Sequence, residues 1–275
     1  MSTVTASSKR EHRVTARSLA RRKRRGEPFS MLTAYDFAFS RIFDQAGIDV
    51  LLVGDSMGNV VQGRETTLPV TLDEVVYHSR MVVRGASRAL VVGDMPFGSY
   101  QVSPEDAVRS AIRLVKEGGV HSVKLEGGQT MSGTIERIVA AEIPVMGHVG
   151  LTPQAIHRMG GYRVQGRGEA SRQRVIEDAR AVEAAGAFSI VLEGVPADLA
   201  GEITASLSIP TIGIGAGPDC DGQVLVMHDL LGLNDWTPSF VKQYANLGSL
   251  ASQAARRFAE EVGNRKFPDE EHSYS

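Results

Sequence analysis

Short apolar segments alternate with longer segments of helical period from residue 29 onward. The apolar segments are rich in Val, Ile and Leu, and each is about as long as a β-strand. Eight can be distinguished, the last less clearly than the others, at residues 30–36, 50–55, 89–94, 122–126, 144–148, 189–193, 210–215 and 224–228. Strands that alternate with helices are typical of βα units around a parallel sheet, and eight units favour a closed barrel over an open doubly wound sheet. The sequence therefore predicts an α/β fold of the (β/α)8 TIM-barrel class.

Two of the predicted helices have clear starts. Thr71 and Glu74 form a capping-box pattern, and Ser103 precedes a first-turn proline and two acidic residues. The predicted organisation is a basic N-terminal arm or helix at 1–27, the barrel with C-terminal helices at 28–266, and a polar tail at 267–275.

The composition is that of an ordinary globular protein, with 42% hydrophobic and 23% charged positions among 275 residues. The longest apolar runs are of strand length and do not approach the roughly 18 residues of a membrane span, so we expect a soluble protein. Cys220 is the single cysteine, which excludes an internal disulfide and a multi-cysteine zinc site and fits a reducing compartment. The expected location is therefore the cytoplasm.

Positive charge is concentrated at the start of the chain. Residues 1–25 hold nine Lys and Arg against one acid, Glu11, although the net charge of the whole chain is −2. An Arg-rich, acid-poor start also fits a mitochondrial transit peptide, and a basic run can bind nucleic acid. A solvated arm or short helix is favoured because the run has no interleaved aromatic residues and the body has no matching basic face. We therefore expect neither a nucleic-acid partner nor a membrane partner.

Polar residues recur at the ends of the predicted strands. The carboxyl ends of the strands form the active-site mouth of a TIM barrel, so residues at these ends converge on one cavity. A single carboxylate there is more often a helix cap or a partner in a loop salt bridge, but five polar residues in register favour a site. They are Asp55, Asp94, Glu126, His148 and Glu193.

Three of these residues predict a metal site. Asp55, Asp94 and Glu126 follow strands 2, 3 and 4, which are neighbours in the predicted barrel. Carboxylates brought together repel one another, which calls for a cation or for raised pKa values. Oxygen ligands without cysteine favour Mg²⁺ over zinc.

The remaining polar positions fit contacts to an anionic substrate. Lys124 shares the inward face of its strand with Glu126, because side chains alternate along a strand, and it fits either a substrate carboxylate or a structural ion pair. His148 fits a hydrogen bond to a substrate oxygen or a satisfied core histidine. Glu193 lies across the mouth from the acids and is suited to act as a general base.

Two glycine-rich stretches each have two interpretations. Residues 213–217 follow strand 7, where barrels often bind phosphate through backbone N–H groups, but a tight turn explains these glycines equally well. Residues 160–168 contain Tyr162 and two arginines, and they fit either a mobile loop that closes over an anion or a plain surface loop.

Several ordered motifs resemble those of the ketopantoate hydroxymethyltransferase family. They are MLTAYD at 31–36, GDSMG at 54–58, LPVT at 68–71, KLEGG at 124–128, GHVGLTPQ at 147–154, GGY at 160–162 and GIGAG at 213–217. The resemblance runs from about residue 28 to the end of the chain. It implies a (β/α)8 barrel, a homodecamer of two pentameric rings, and the first committed step of pantothenate synthesis.

The resemblance also implies roles for individual residues. The implied Mg²⁺ ligands are Asp55, Asp94 and, directly or through a water, Glu126. The implied contacts of the substrate are Ser56, Lys124 and His148, together with the two aspartates. Glu193 is the implied catalytic base, which would remove the C3 proton of 3-methyl-2-oxobutanoate. The implied one-carbon donor is 5,10-methylenetetrahydrofolate, and the products are 2-dehydropantoate and tetrahydrofolate.

Two other functions remain open. A Mg²⁺-dependent barrel lyase or mutase of the isocitrate lyase and phosphoenolpyruvate mutase kind would also enolise a 2-oxo acid, but such lyases usually carry a catalytic cysteine at the mouth. Cys220 follows strand 7 between two aspartates, which is a poor fit. A catalytically silent barrel that serves as a scaffold or binds nucleic acid is the third possibility, since fold alone does not show function.

Overall fold

The computed structural model describes residues 13–274 of the protein. These residues divide into two compact units, one that ends at Val224 and one that begins at Leu225. The first twelve residues of the predicted basic arm and the last residue of the predicted tail lie outside the described part.

The first unit is built on a closed barrel of parallel strands. In the described residues the strands pair in chain order, each with the next. They are β1 Phe29–Thr33, β2 Val50–Val53, β3 Leu90–Asp94, β4 Ser122–Lys124, β5 Val145–Gly150, β6 Ser189–Glu193, β7 Thr211–Ile214 and β8 Gly222–Leu225. The prediction of a (β/α)8 TIM barrel is confirmed.

The position of the last strand differs from the prediction. β8 begins at Gly222 and pairs with β7 through Gly222 and Gln223. Neither residue is apolar, so the strand had no hydrophobic signal at its start. Gln223 points outward, and its amide donates to the carbonyl oxygen of Gly217 at 2.9 Å. The apolar residues after 225 belong instead to a short helix.

Helices separate the strands from β1 to β7, as the alternating pattern predicts, whereas in the described part of the chain no helix lies between β7 and β8. Their bounds are α1 Ala16–Arg25, α2 Phe37–Gln45, α3 Met57–Val60, α4 Leu72–Gly85, α5 Pro104–Arg113, α6 Ser132–Val139, α7 Ile156–Met159, α8 Glu169–Ala184, α9 Ala197–Ser206, α10 Met227–Leu231 and α11 Leu247–Gly263. Both predicted helix starts are confirmed: Thr71 and Glu74 exchange the two bonds of a capping box, and the Ser103 side chain accepts from the backbone N–H of Asp106.

The amino end of the barrel is closed by α1. Leu19 of this helix is fully buried and belongs to one apolar cluster with side chains of seven strands. On the basic face of α1, Arg22 lies 2.8 Å from the carboxylate of Asp49, which directly precedes β2. Lys23 lies 2.8 Å from the carboxylate of Asp221, which directly precedes β8. Two charges of the basic arm are therefore paired with acids of the barrel, and the polar chemistry is left to the opposite end.

The second unit contains α10 and α11. The Asn246 side chain accepts from the backbone N–H of Ser249 and so caps the start of α11. In the part of the chain that the structure describes, no helix is long and apolar enough to cross a membrane.

Candidate active site

The carboxyl ends of the middle strands bring the predicted site residues together. Asp94, His148 and Glu193 lie within β3, β5 and β6, whereas Asp55 and Glu126 lie two residues beyond the ends of β2 and β4. All of them except Glu193 are no more than 5% exposed. The strand-end positions that the sequence singled out thus form one buried polar cluster.

Lys124 is the cation on one side of this cluster. Asp94 and Lys124 are partners in the β3–β4 register, and Lys124 Nζ lies 2.7 Å from Asp94 Oδ1. Asp94 Oδ2 accepts from the backbone N–H of Asp55 at 3.2 Å. One carboxylate therefore ties the end of β2 to the lysine of β4.

His148 is the second cation and lies between two carboxylates. Its Nδ1 is 3.4 Å from Glu126 Oε1, and its Nε2 is 3.2 Å from Glu193 Oε2. Burial and the charge of Lys124 both lower the pKa of His148, but the hydrogen bonds to Glu126 and Glu193 outweigh them and raise it to about 9. The raised pKa favours the imidazolium form, which pairs with both acids, although Nδ1 also lies 3.4 Å from Lys124 Nζ.

The carboxyl groups of Asp55 and Asp94 resist ionisation. Burial, followed by repulsion from Asp94 and Glu126, raises the pKa of Asp55 well above its usual range. Burial also raises the pKa of Asp94, although Lys124 acts in the opposite direction. The pKa of Glu126 is lowered, because the hydrogen bond and charge of His148 outweigh its burial.

The formal charges of the cluster leave room for a divalent cation. With all groups ionised, four carboxylates face two cations, Lys124 and His148, so two negative charges are in excess. Among the described residues, no group of three or more His, Cys, Asp or Glu side chains is placed to hold a metal ion by itself. This arrangement suits Mg²⁺, which commonly takes one or two carboxylates and completes its shell with water and substrate oxygens. Asp55 and Asp94 are the oxygen donors that fit.

Ser56 lies directly after the acid of β2, at the start of α3. Its hydroxyl forms a hydrogen bond of 2.9 Å with the hydroxyl of Tyr35, which is itself buried. The side chain is therefore held at the mouth from the β1 side.

Two buried residues of the site were not among the predicted ones. Gln154 donates through its side-chain amide to Asp55 Oδ2 at 2.9 Å, and its amide oxygen accepts from the Tyr100 hydroxyl at 2.7 Å. The available signal in the sequence was the position of Gln154 at the end of the motif after strand 5. Nothing comparable marks Tyr100, which belongs to the loop after β3.

A cavity of about 530 Å³ opens beside Glu126 and Gln154. Its volume lies in the usual range of small-molecule sites. The other walls include apolar and basic side chains, among them Leu68, Phe97, Met131, His157 and Arg158. Of the acids of the cluster, Glu126 therefore lines a space that can admit a ligand with apolar and anionic parts.

A sequence model of the family described as ketopantoate hydroxymethyltransferase matches residues 13–270. The chain belongs to the ketopantoate hydroxymethyltransferase family. The 3-methyl-2-oxobutanoate hydroxymethyltransferase of Pelobacter propionicus is 56% identical over 264 residues, which are 96% of this chain and 98% of the relative. The enzyme of the same name from Moorella thermoacetica is 57% identical over 95% of this chain and 98% of its own length.

Solved structures of more distant proteins share the fold. A phosphonomutase of Burkholderia cenocepacia superposes with a TM-score of 0.63 at 15% identity, over 90% of this chain and 98% of that one. A 2,3-dimethylmalate lyase of the phosphoenolpyruvate mutase and isocitrate lyase superfamily gives 0.59 at 18% identity, over 94% of this chain and 91% of that one. At this identity the likeness concerns the barrel alone.

The single cysteine of this ketopantoate hydroxymethyltransferase family member lies away from the inward face. Cys220 is buried near the hydroxyls of Thr204 in α9 and Thr211 in β7. The inward residue of β7 is Ile212, which belongs to the barrel core, so the neighbouring Thr211 faces the outer layer of helices. Cys220 is thus packed between β7 and the helical layer.

The two glycine-rich stretches have different surroundings. Gly217 packs against Ala197 so closely that a Cβ would overlap it, and its φ is +79°, so a tight turn accounts for this stretch. In the 160–168 stretch, Tyr162 is 57% exposed. Burial and the charges of Glu193, Asp55 and Glu126 raise the pKa of Tyr162, so this ring lies within the field of the acids.

Replacing Lys124 with Met should destabilise the fold strongly, because the change leaves buried carboxylates without their counter-ion. We expect the free energy of unfolding to fall by about 3–5 kcal/mol near pH 8, as measured by denaturant titration. The loss should shrink as the pH is lowered, because carboxyls with raised pKa values take up protons in the folded state before those of the unfolded chain do.

Lys23→Met is the matched control for this prediction. It removes an ion pair of similar length, but Asp221 keeps the backbone N–H and hydroxyl of Thr211 as donors at 2.8 and 3.1 Å. Its loss should be smaller and nearly independent of pH. Equal losses in the two variants at every pH would contradict the account of the Lys124 cluster.

Proposed function

We propose that this protein transfers a hydroxymethyl group from 5,10-methylenetetrahydrofolate to 3-methyl-2-oxobutanoate, which gives 2-dehydropantoate and tetrahydrofolate. The observation that carries the proposal is the cluster of four carboxylates, one lysine and one histidine at the mouth of the barrel. Membership of the ketopantoate hydroxymethyltransferase family, with full-length relatives at 56–57% identity, supports this choice of substrates.

Asp55 and Asp94 are the proposed ligands of Mg²⁺, and Glu126 is proposed to hold it directly or through a water. These three acids are buried and repel one another, and this is the physical reason for a divalent cation here. When bound, the metal supplies a positive charge that stabilises the negative charge formed on the oxo oxygen during enolisation.

Glu193 is the proposed base that takes the proton from C3 of the substrate. It is the most open member of the cluster, with a side chain 19% exposed, and His148 Nε2 holds one of its oxygens at 3.2 Å. Of the two cations, Lys124 is proposed to pair with the substrate carboxylate and His148 to donate to a substrate oxygen. Ser56, held by Tyr35, is a third proposed contact.

The enolate carbon then forms a bond to the methylene carbon of the donor. That carbon gives up its bonds to the two folate nitrogens and gains the hydroxyl of one water. The other proton of that water and the proton taken from C3 go to the two nitrogens, so the atoms of the products are accounted for. The cavity beside Glu126 supports the proposal, because its apolar walls suit a ring system and His157 and Arg158 suit the acidic tail of a folate.

The wider setting is proposed from the family resemblance alone. We place the reaction in the first step of pantothenate synthesis, in the cytoplasm, in a homodecamer. The lyase or mutase alternative is less well supported, because Cys220 lies on the outer side of β7 among Thr204 and Thr211.

The reaction itself is tested by NMR of the purified full chain with 3-methyl-2-oxobutanoate, 5,10-methylenetetrahydrofolate and Mg²⁺, with and without EDTA. We expect 2-dehydropantoate to appear with Mg²⁺ and to be absent with EDTA, because the enolate charge needs the metal. Metal-dependent exchange of the C3 proton in D₂O without formation of 2-dehydropantoate would keep the enolisation site and favour the lyase or mutase alternative.

Glu193→Gln should reduce turnover by roughly 10²–10⁴-fold, because the amide keeps the shape of the side chain but cannot accept the C3 proton. Binding of 3-methyl-2-oxobutanoate, measured by calorimetry with Mg²⁺ present, should stay close to that of the unsubstituted protein. Glu202→Gln, in an exposed carboxylate that pairs with Arg172, is the matched control and should keep full turnover. Unchanged turnover in Glu193→Gln would remove this residue from the mechanism.

A further inference from the structure

We propose that Gln154 and Tyr100 are positioning residues: together they form a hydrogen-bonded bridge that fixes the carboxylates of Asp55 and Glu126 for the divalent cation. The inference rests on the proposed function, because the cation is part of it. Neither residue is proposed to contact the 2-oxo acid, although both line the cavity described above.

The side-chain amide of Gln154 has a single orientation. Gln154 is 5% exposed, and its Nε2 lies 3.0 Å from the backbone carbonyl oxygen of Met95 and 2.9 Å from Asp55 Oδ2. A carbonyl oxygen can only accept, so the NH₂ end of the amide must face it, and the same NH₂ group donates to Asp55. The amide thus engages one oxygen of this carboxylate and sets the direction of its plane.

Tyr100 holds the other end of the same amide. Its hydroxyl lies 2.7 Å from Gln154 Oε1 and 3.3 Å from the backbone carbonyl oxygen of Glu126. A hydroxyl has one proton, and the shorter distance directs it to Gln154. The hydroxyl oxygen of Tyr100 also accepts from the backbone N–H of Glu126 at 3.2 Å. Gln101 Nε2 is a second donor to Gln154 Oε1 at 3.3 Å. A flip of the amide would place its oxygen against the carbonyl oxygen of Met95 and would remove the acceptor of the Tyr100 and Gln101 donors.

The backbone of Gln154 holds the second acid. Its N–H donates to Glu126 Oε2 at 3.0 Å, while His148 lies beside Glu126 Oε1. Both oxygens of Glu126 are therefore engaged, one by a rigid backbone group. The side chain and the backbone of one residue hold two different acids.

The barrel makes this link necessary. Asp55 follows β2 and Glu126 follows β4, and β3 lies between these strands, so no ladder of backbone hydrogen bonds connects the two acids directly. Gln154 comes from a third position, the turn after β5. Because like charges tend to spread apart, the separation of Asp55 and Glu126 depends on groups that bind to both.

A residue that only filled this space could be apolar, whereas an amide buried here must satisfy its hydrogen bonds. Partners that orient metal-binding carboxylates typically change metal affinity by roughly 10–100-fold when they are removed. The proposal therefore predicts a specific effect on metal binding, separate from any effect on stability.

The test is the binding of Mn²⁺ to the full chain, measured by electron paramagnetic resonance of the free ion and by calorimetry. Gln154→Met keeps the length of the side chain and removes its donors and acceptor, and we expect its Kd for Mn²⁺ to rise by roughly 10–100-fold. Tyr100→Phe removes only the hydroxyl and should raise the Kd in the same direction by a smaller factor. If Gln154→Met does not fold, Tyr100→Phe carries the test.

Ser40→Ala is the control for loss of a buried hydrogen bond elsewhere. The Ser40 hydroxyl is fully buried in α2 and donates to the carbonyl oxygen of Val82 at 2.6 Å. Its loss should lower the Tm of the metal-free protein and leave the Kd for Mn²⁺ unchanged.

Two results would overturn the inference, and they are distinct. If Gln154→Met and Tyr100→Phe lower the Tm but keep the Kd within about twofold of the unsubstituted protein, the bridge is a packing element only. If the unsubstituted protein itself binds no Mn²⁺, the metal in the proposed function fails, and the positioning role fails with it.

Discussion

The ammonium group of Lys124 lies 2.7 Å from Asp94 in a part of the barrel where both side chains are almost completely removed from water. Asp55 and Glu126 share this space, and His148 supplies the only other nearby cation described for the cluster. Buried charges are tolerated when they are paired and hydrogen-bonded, and here four carboxylates face one lysine and one histidine. The other contacts at the mouth either pair with these carboxylates or are proposed to use their negative charge.

The barrel separates this polar cluster from the apolar interior. Along β3 the inward residues are Leu90, Val92 and Asp94, so a single strand passes from the buried core to the acid at its carboxyl end. At the amino end α1 adds Leu19 to the same core. The polar cluster therefore lies at the carboxyl ends of the strands, and the apolar core to which α1 contributes fills the barrel toward their amino ends.

β5 and β6 approach each other closely where they carry His148 and Glu193. Gly150, at the end of β5, has a φ of +92°, and a Cβ at this position would overlap the backbone carbonyl oxygen of Glu193. The register pairs Gly150 with Glu193 and His148 with Val191. His148 and Glu193 both fall on inward positions of these neighbouring strands, only two residues apart in register, which brings their side chains together.

The strand-end residues of the site could be predicted from the sequence because side chains alternate between the two faces of a strand. Asp94, Lys124 and Glu193 fall on inward positions at strand ends, and a polar residue there has only the mouth to enter. Their convergence follows from fold class alone, although the roles assigned to them remain predictions. β8 was misplaced because Gly222 and Gln223 carry no hydrophobic signal.

Gln154 and Tyr100 could not be predicted in the same way. Both belong to loops, and loop residues have no periodicity that tells which neighbour they will meet. Their bonds depend on the path of the turn after β5, which places Gln154 over the ends of β2 and β4. The same limit applies to Cys220, whose side of β7 depended on the course of the loop before β8.

The central claim is that this cluster enolises a 2-oxo acid with the help of a divalent metal, before any one-carbon donor takes part. The most direct test is exchange of the C3 proton of 3-methyl-2-oxobutanoate in D₂O, followed by NMR without folate. The account predicts exchange with Mg²⁺ and none with EDTA. Absence of exchange from a protein shown to bind both Mg²⁺ and the 2-oxo acid would contradict it.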